Sequence, residues 1–233
     1  MQRFKAVKQT KTYAEIVAQI SGHIESGELK GGERLPSERT LSDTLNIGRQ
    51  SLREALSVLE AIGLIEVKHG IGTFIREDAL SHLPLVRKED FNADNPFEFL
   101  EARRVIEPEM ASLAAKRSTE SEIAQMDAAL DALRSDTTGG KREYELDRNL
   151  HLAIARGAHN EILYRSMLAI TEQMSTHMWR IMKEKSLEVS GRGEIFTQEH
   201  EDVLSAVKKG DHKAAAQAML THLKSVERSF LRK

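Results

Sequence analysis

The segment from Leu35 to Gly63 constrains the fold most, because it predicts two short helices joined by a turn of only three residues. Ser37 can cap the first helix, which we expect to end near Leu45. Asn46-Ile47-Gly48 forms the turn, and apolar residues at helical spacing continue to Gly63. Two helices held together by so short a turn are typical of a helix-turn-helix.

A further helix precedes this segment and a hairpin follows it. Apolar residues recur at helical spacing from Tyr13 to Ile24. Ile65 and Val67 then alternate with polar residues, His69-Gly70 can turn, and Thr73 to Ile75 returns. This order of elements is the layout of a winged helix-turn-helix, in which the helix after the turn enters the major groove of DNA.

The start of the helix after the turn holds the candidate DNA contacts. Arg49 and Arg53 lie four residues apart on one face, with Gln50 and Ser51 beside them and no acid among them. Arg39, on the preceding helix, could reach the same DNA backbone. Two arginines alone would indicate only a solvated helix face, but their place between the turn and the hairpin favours DNA binding.

The rest of the chain differs in charge and in pattern. Residues 1–76 contain 11 Lys and Arg against 9 acids, whereas residues 77–233 contain 23 against 27. Residues 77–95 show no steady period and are predicted to be a linker. Every long segment of residues 96–233 is helical in pattern. We therefore predict a mainly α protein, with a winged helix-turn-helix domain over residues 1–76 and an all-α bundle over residues 96–233.

About six helices are expected in this bundle. Pro108 is expected to kink or divide the first, and Thr119 with Glu122 forms a capping box at the start of the next. The pair Gly139-Gly140 predicts a loop, and one long helix is expected from about Asn160 to Lys185.

Four polar residues of the bundle fall on faces that are otherwise apolar. Asp147 and His151 share one helix face with Tyr144 and Ile154, while His200 and His222 lie among apolar residues of two other helices. One carboxylate and three imidazoles suit a borderline divalent ion such as zinc, with nickel or manganese as further candidates. The alternative is a hydrogen-bonded polar network in the core.

Composition excludes several other classes of protein. The chain has 233 residues, of which 40% are hydrophobic and 30% charged, so it does not resemble a disordered segment. It has no cysteine, which excludes disulfides and thiolate metal sites. No apolar run suggests a membrane span or a signal peptide, and we expect a cytoplasmic protein that binds no membrane.

The segment GERLPSERTLSDTLNIGRQSLREALSVLEAIGLIEVKHGIGTFI resembles the DNA-binding domain of the GntR family of bacterial transcription regulators. The resemblance covers about Tyr13 to Arg76. It implies that the operator is contacted by three segments, namely Ser37-Glu38-Arg39, Arg49 to Arg53 and His69-Gly70. Gly48 departs from the family, which usually has Ser or Thr there, so a phosphate-binding hydroxyl is lost at the helix start.

The remaining chain, from about Asn95 onward, resembles the FCD ligand-binding domain of the FadR subfamily. The segments that show this are NPFEFLEARRVIEPEMASLAAKRST, ELDRNLHLAIARGAHNEIL and EHEDVLSAVKKGDHKAAAQAMLTHL. Metal-binding members use an Asp and a His four residues apart and then two further His, which matches Asp147, His151, His200 and His222. The resemblance also implies that a small organic acid binds beside the metal and changes the affinity for DNA.

Arg103 and His177 are the candidate effector-binding residues. Arg103 lies on an inward face and requires an anion, which is either Glu107, one turn later, or a carboxylate of the effector. His177 lies on the expected inward face with Ile170, Met174 and Ile181 and could add a hydrogen bond.

The expected function is that of a ligand-responsive transcription regulator, a repressor rather than an enzyme. A homodimer on a palindromic operator is expected, because one short helix reads too few base pairs. A metal-dependent hydrolase that uses the Asp/His cluster is the alternative, although no H-E-x-x-H motif is present. An architectural DNA-binding protein, a third class, would bind without sequence preference and without response to a small molecule.

Overall fold

The structure is a computed structural model that describes residues 12–86, 95–136, 141–172 and 176–231. The chain divides into two compact units. The first comprises Met1–Asn95 with Phe230–Lys233, and the second comprises Pro96–Ser229.

Three helices form the body of the first unit. They are α1 (Thr12–Glu25), α2 (Glu38–Leu45) and α3 (Arg49–Ile62). The Ser37 hydroxyl accepts a hydrogen bond from the backbone N–H of Thr40 at 3.1 Å, so the predicted cap of α2 is confirmed. Asn46 ends α2 in the left-handed conformation with φ 54°, which a short polar side chain tolerates. The turn thus leads directly into α3.

The predicted hairpin is present as a two-stranded antiparallel sheet. Strand β1 (Ile65–Lys68) pairs with β2 (Gly72–Ile75), and Ile65 lies opposite Ile75. Both isoleucines are buried, whereas the three residues between the strands are exposed. Gly70 has φ +72°, a left-handed value that lets the chain reverse there. A winged helix-turn-helix is therefore the fold of this unit.

Part of the predicted linker has regular structure. Ala79–His82 forms the short helix α4, and Leu83–Leu85 continues it as one 3-10 turn. Neither element is long enough to show an apolar period, which explains why the sequence predicts no structure here. Residues 87–94 of the predicted linker lie outside the described residues.

The described residues of the second unit form seven helices and no strand, in agreement with the predicted all-α class. In chain order they are α5 (Pro96–Arg117), α6 (Glu120–Ser135), α7 (Lys141–Gly157), α8 (Glu161–Glu172), α9 (His177–Leu187), α10 (Arg192–Lys208) and α11 (His212–Phe230).

One predicted feature of the bundle is wrong and one is confirmed. The expected long helix from Asn160 to Lys185 is two helices, because Thr176 adopts an extended backbone (ψ 149°) and caps α9 by accepting a hydrogen bond from the Trp179 N–H. Pro108 lies inside α5 and does not divide it, and the kink stays a prediction. The capping box of Thr119 and Glu122 is present at the start of α6. The expected Gly139-Gly140 loop lies outside the described residues.

The main core of the second unit is built between α5, α6, α7, α10 and α11. The helices that present the polar residues pack together through the apolar residues next to them. These include Leu150, Ile154, Val203, Leu204, Met219 and Leu223. This packing sets the distances between the polar side chains.

Candidate functional site

Asp147 and His151 lie on the buried face of α7. They are 5% and 2% exposed, respectively, and Tyr144 and Ile154 on the same face are also buried. A spacing of four residues on a helix brings two side chains close together on one face. The inward orientation predicted from the sequence is therefore observed for both residues.

Two further helices bring His200 and His222 to the same place. His200, on α10, and His222, on α11, are 2% and 1% exposed. One ligand atom from each of the four residues lies within 4.8 Å of the other three. The Nε2 atoms of His200 and His151 are 3.2 Å apart, and His200 Nε2 is 3.6 Å from Asp147 Oδ1. The four residues that the sequence predicts as metal ligands, hereafter the Asp/His cluster, are thus brought together.

The protonation state of the Asp/His cluster suits a cation. Burial lowers the pKa of both His200 and His222 well below the usual histidine value, so both imidazoles are neutral at pH 7. Burial alone would raise the pKa of Asp147, but nearby positive charge, above all that of Lys183, holds it below its usual range. A carboxylate and neutral imidazoles are the forms that bind a metal ion.

Two of the distances suit a shared ion. Atoms that bind one ion at about 2.0–2.1 Å lie no more than about 4.2 Å apart, and the separations of 3.2 Å and 3.6 Å meet this condition. Asp147, His151, His200 and His222 would hold the ion, so the Asp/His cluster could bind a divalent metal.

Two carboxylates, the buried Glu107 and the half-buried Glu199, orient the histidines from behind. Glu107 on α5 accepts a hydrogen bond from His151 Nδ1 at 2.5 Å, and Glu199 lies 3.1 Å from His222 Nδ1. Each contact leaves Nε2 of that ring to face the centre of the cluster. A carboxylate behind a ligating histidine fixes its tautomer and its ring orientation in metal sites. Sequence reasoning assigned neither carboxylate to this role, because their partners come from distant helices.

Arg103 forms a buried ion pair with Glu107. Its Nε donates to Glu107 Oε1, and its Nη2 lies 3.5 Å from Oε2. Arg103 and His151 together overcome the effect of burial, which would raise the pKa of Glu107, and lower that pKa to about 2. Glu107 is thus the anion that pairs with Arg103 in the structure.

His177 is the first residue of α9 and is half-buried. The face on which the sequence places it assumes a continuous helix through Met174, which lies outside the described residues. His177 is not one of the four clustered residues. Its role in effector binding remains a prediction.

Lys183, also on α9, is a site residue that sequence reasoning missed. It is 4% exposed, and its Nζ lies 4.3 Å from the centroid of the Phe196 ring. The signal is a face of α9 that includes Trp179, Met182 and Ser186, all buried. A prediction in which a new helix begins after Thr176 would place Lys183 on this face.

A cavity of about 650 Å³ opens beside the Asp/His cluster. Asp147, His200, Lys183 and Phe196 line it, together with Glu143 and residues of the segment before α10. Its size falls within the range of about 300–1,000 Å³ that is typical of small-molecule sites.

In the first unit, the predicted DNA contacts surround the start of α3 and the tip of the hairpin. A groove of about 580 Å³ is lined by Ser37, Glu38, Arg53, His69 and Gly70, among others. Arg53 Nε donates to Glu38 Oε2 at 3.1 Å on the exposed side. Both side chains are accessible enough to exchange partners, so this pair is weak in water.

The other predicted contacts lie outside this groove. Arg39, Arg49 and Gln50 are exposed, and Ser51 is half-buried. Gly48 supplies no side-chain cap to α3, as its lack of a hydroxyl requires, and the first turn of α3 contains no acid. The free N–H groups of this helix end are thus open to a phosphate.

Two family models match this chain. Residues 12–75 match the model of the bacterial regulatory proteins of the gntR family, and residues 98–225 match the FCD domain. The HTH-type transcriptional regulator LutR of Bacillus subtilis (strain 168) is 34% identical over 88% of this chain and 94% of its own length. The Uxu operon transcriptional regulator of Escherichia coli (strain K12) is 32% identical over 97% of this chain and 89% of its own.

A solved structure, described as Streptococcus agalactiae GntR, resembles the chain with a TM-score of 0.50 and 23% identity. It covers 93% of this chain and 99% of the other. In the described residues, no helix is long and apolar enough to cross a membrane. The matched families and relatives are transcriptional regulators rather than enzymes. The chain belongs to the GntR family of bacterial transcription regulators and has a C-terminal FCD domain.

Proposed function

We propose that this regulator is a repressor that binds a palindromic operator as a homodimer and is released by a small organic acid bound next to a divalent metal. The Asp/His cluster is the observation that supports this proposal most, because its four buried ligand atoms lie within 4.8 Å of one another and could hold one ion. It occurs in the same chain as a winged helix-turn-helix.

DNA binding is assigned to the three exposed segments around α3. Arg49 and Arg53 are proposed to enter the major groove, with Gln50 and Ser51 beside them. The DNA backbone is approached by Ser37, Glu38 and Arg39. The hairpin tip, with His69 and Gly70, reaches the adjacent groove. One such helix reads few base pairs, so a dimer on two half-sites supplies the specificity. Since its target is the chromosome, the protein works in the cytoplasm.

Zinc is the ion that the Asp/His cluster suits best, and nickel or manganese would accept the same ligands. When bound, the ion would supply positive charge to an oxygen of the effector. Four protein ligands close a tetrahedral site, but an ion that accepts five or six leaves room for a carboxylate. The cavity beside Asp147 and His200 provides the space for the remainder of the molecule.

To act as a switch, the acid must bind the DNA-free and DNA-competent states unequally, since equal affinity shifts no equilibrium. The Escherichia coli relative that is named as the regulator of an operon supports control of an operon. By this proposal the operon encodes proteins that use the effector acid.

The test measures DNA binding with and without metal. Operator fragments are selected from genomic DNA with zinc-loaded protein, and their dissociation constants are measured before and after addition of a panel of small carboxylic acids. At least one acid is expected to weaken operator binding by roughly tenfold or more, and the response should disappear in His200→Ala, which loses a proposed metal ligand.

His212→Ala is the matched control, because His212 lies at the start of α11 outside the Asp/His cluster. It should keep both the metal and the response. A His200→Ala protein that responds to the acid like the wild type would contradict the link between metal and effector. A monomer on the selected DNA, measured by light scattering, would contradict the dimer.

A further inference from the structure

Lys183 is a buried cation that shares its cavity with the carboxylates of Asp147 and Glu143 and forms a salt bridge with neither of them. It is the only buried lysine among the described residues. Its close neighbour is the Phe196 ring, at 4.3 Å from Nζ. A buried ammonium group is costly unless it is paired, and a ring face compensates only in part. This position therefore suits an anionic ligand.

Lys183 and the Asp/His cluster share one cavity. Lys183, Asp147 and His200 all line the cavity of about 650 Å³. An anion that enters this cavity beside the metal would therefore meet the Lys183 ammonium group.

The rest of the cavity lining is rich in acceptors. Asp136, Glu143, Glu194 and Glu201 contribute carboxyl groups to it. Arg134, the other lysine or arginine that lines the cavity, lies 3.3 Å from Glu201. Carboxylates accept hydrogen bonds from hydroxyl groups, but they repel a second carboxylate of the ligand. The lining thus disfavours a second carboxylate on the ligand and favours hydroxyl groups.

Arg103, the anchor expected from the sequence, is not among the residues that line this cavity. Its guanidinium is committed to Glu107 and is fully buried. Lys183, rather than Arg103, is therefore the cation that can meet an acid in this cavity.

We propose that Lys183 anchors the carboxylate of the effector beside the metal, and that the acid-rich lining selects hydroxylated monocarboxylates over the corresponding dicarboxylates. This inference rests on the proposed function, because it assumes that the effector is an acid bound next to a metal. It adds the anchoring residue and the class of acid.

The experiment uses full-length, zinc-loaded protein and three matched pairs of probes. Each pair compares a hydroxylated monocarboxylate with the acid in which the terminal group is a second carboxylate. The pairs are D-gluconate with D-glucarate, D-galactonate with galactarate, and D-glycerate with tartronate. Binding is measured by calorimetry for the wild type, Lys183→Met, Lys183→Arg and the control Lys185→Met. Lys185 lies on the same helix but is exposed and paired with Glu188.

At least one monocarboxylate should bind the wild type roughly tenfold or more tightly than its dicarboxylate partner. Lys183→Met should weaken that binding by roughly tenfold or more, as loss of a charge-assisted hydrogen bond predicts, while zinc content and operator affinity stay unchanged. Lys183→Arg should restore most of the binding, and Lys185→Met should match the wild type.

Three results would overturn the inference. They are equal or tighter binding of all three dicarboxylates, wild-type affinity of Lys183→Met for the monocarboxylate, and no binding of any of the six probes by zinc-loaded wild type. If the Lys183→Met protein is unstable, failure of the folded Lys183→Arg protein to bind the monocarboxylate would count against the inference. Wild-type protein that takes up no metal would instead contradict the proposed function, so the two failures are distinguishable.

Discussion

Replacing Glu107 by glutamine should weaken both the fold of the second unit and its affinity for zinc. Glu107 accepts hydrogen bonds from His151 Nδ1 and from Arg103 Nε, and its side chain is 3% exposed. Arg103, at 1% exposure, would lose its counter-charge in a place that water does not reach. Breaking a buried pair in this way costs about 3–5 kcal/mol. Loss of the carboxylate behind a ligating histidine lowers metal affinity by about 10–100-fold.

A double variant separates the two effects. Arg103→Met with Glu107→Leu removes both charges at once, and replacing a whole buried pair by apolar groups is often neutral or stabilising. Its free energy of unfolding should therefore return close to the wild-type value. Zinc affinity should stay low, because His151 still lacks its acceptor.

The assays are urea unfolding of the metal-free protein and competition with a chelator for zinc. Arg104→Met is the matched control: Arg104 lies next to Arg103 but pairs with Glu227 at 2.7 Å in a partly exposed position. It should lose less than about 1 kcal/mol and keep its zinc affinity. Wild-type zinc affinity in the double variant would refute the role of Glu107 in orienting His151.

Three further predictions concern pH, DNA and helix capping. In the metal-free protein, burial lowers the folded-state pKa of His200 and His222 below 6.5, so the unfolded state binds more protons. Stability is then complete above about pH 6.5 and falls below it, by up to about 1.4 kcal/mol per pH unit for each histidine. Arg49→Ala or Arg53→Ala should cost about 1–3 kcal/mol of operator affinity if the side chain contacts a guanine. If the side chain contacts a phosphate, the slope of log affinity against log salt concentration should decrease in size by about one. Thr119→Ala should cost roughly 1 kcal/mol of stability, because the capping box at the start of α6 is lost.

Each of these has a contradicting result. Unchanged thermal stability of metal-free protein between about pH 7.5 and about pH 5.5, values that lie about one unit either side of the ordinary histidine pKa, would show that the histidines are not neutral in the fold. Operator binding that is unaffected by both arginine changes would exclude α3 as the recognition helix. For Thr119, the control is Ser121→Ala within the same first turn, and equal stability of the two variants would argue against the capping box.

The periodic parts of the fold follow from the sequence. In the first unit, Ser37, Asn46 and Gly63 mark helix ends by their own backbone chemistry, and each stands at a helix end in the structure. The Asp/His cluster could be predicted because a spacing of four on a helix, and apolar neighbours on two other helices, place polar side chains in the core. These signals are local.

The parts that could not be predicted depend on contacts between helices. Glu107 contacts His151 across 44 positions of the chain, and Glu199 contacts His222 across 23. No local pattern links them. Lys183 was missed for a different reason, because one apolar period was extended across Thr176 into the next helix.

The metal content of purified, untagged protein tests the central claim most directly. The account predicts about one divalent ion per chain, bound by Asp147, His151, His200 and His222, and its loss in His200→Ala. Less than about a tenth of an equivalent, after zinc, nickel and manganese have each been offered, would contradict it and identify the Asp/His cluster as a hydrogen-bonded core network.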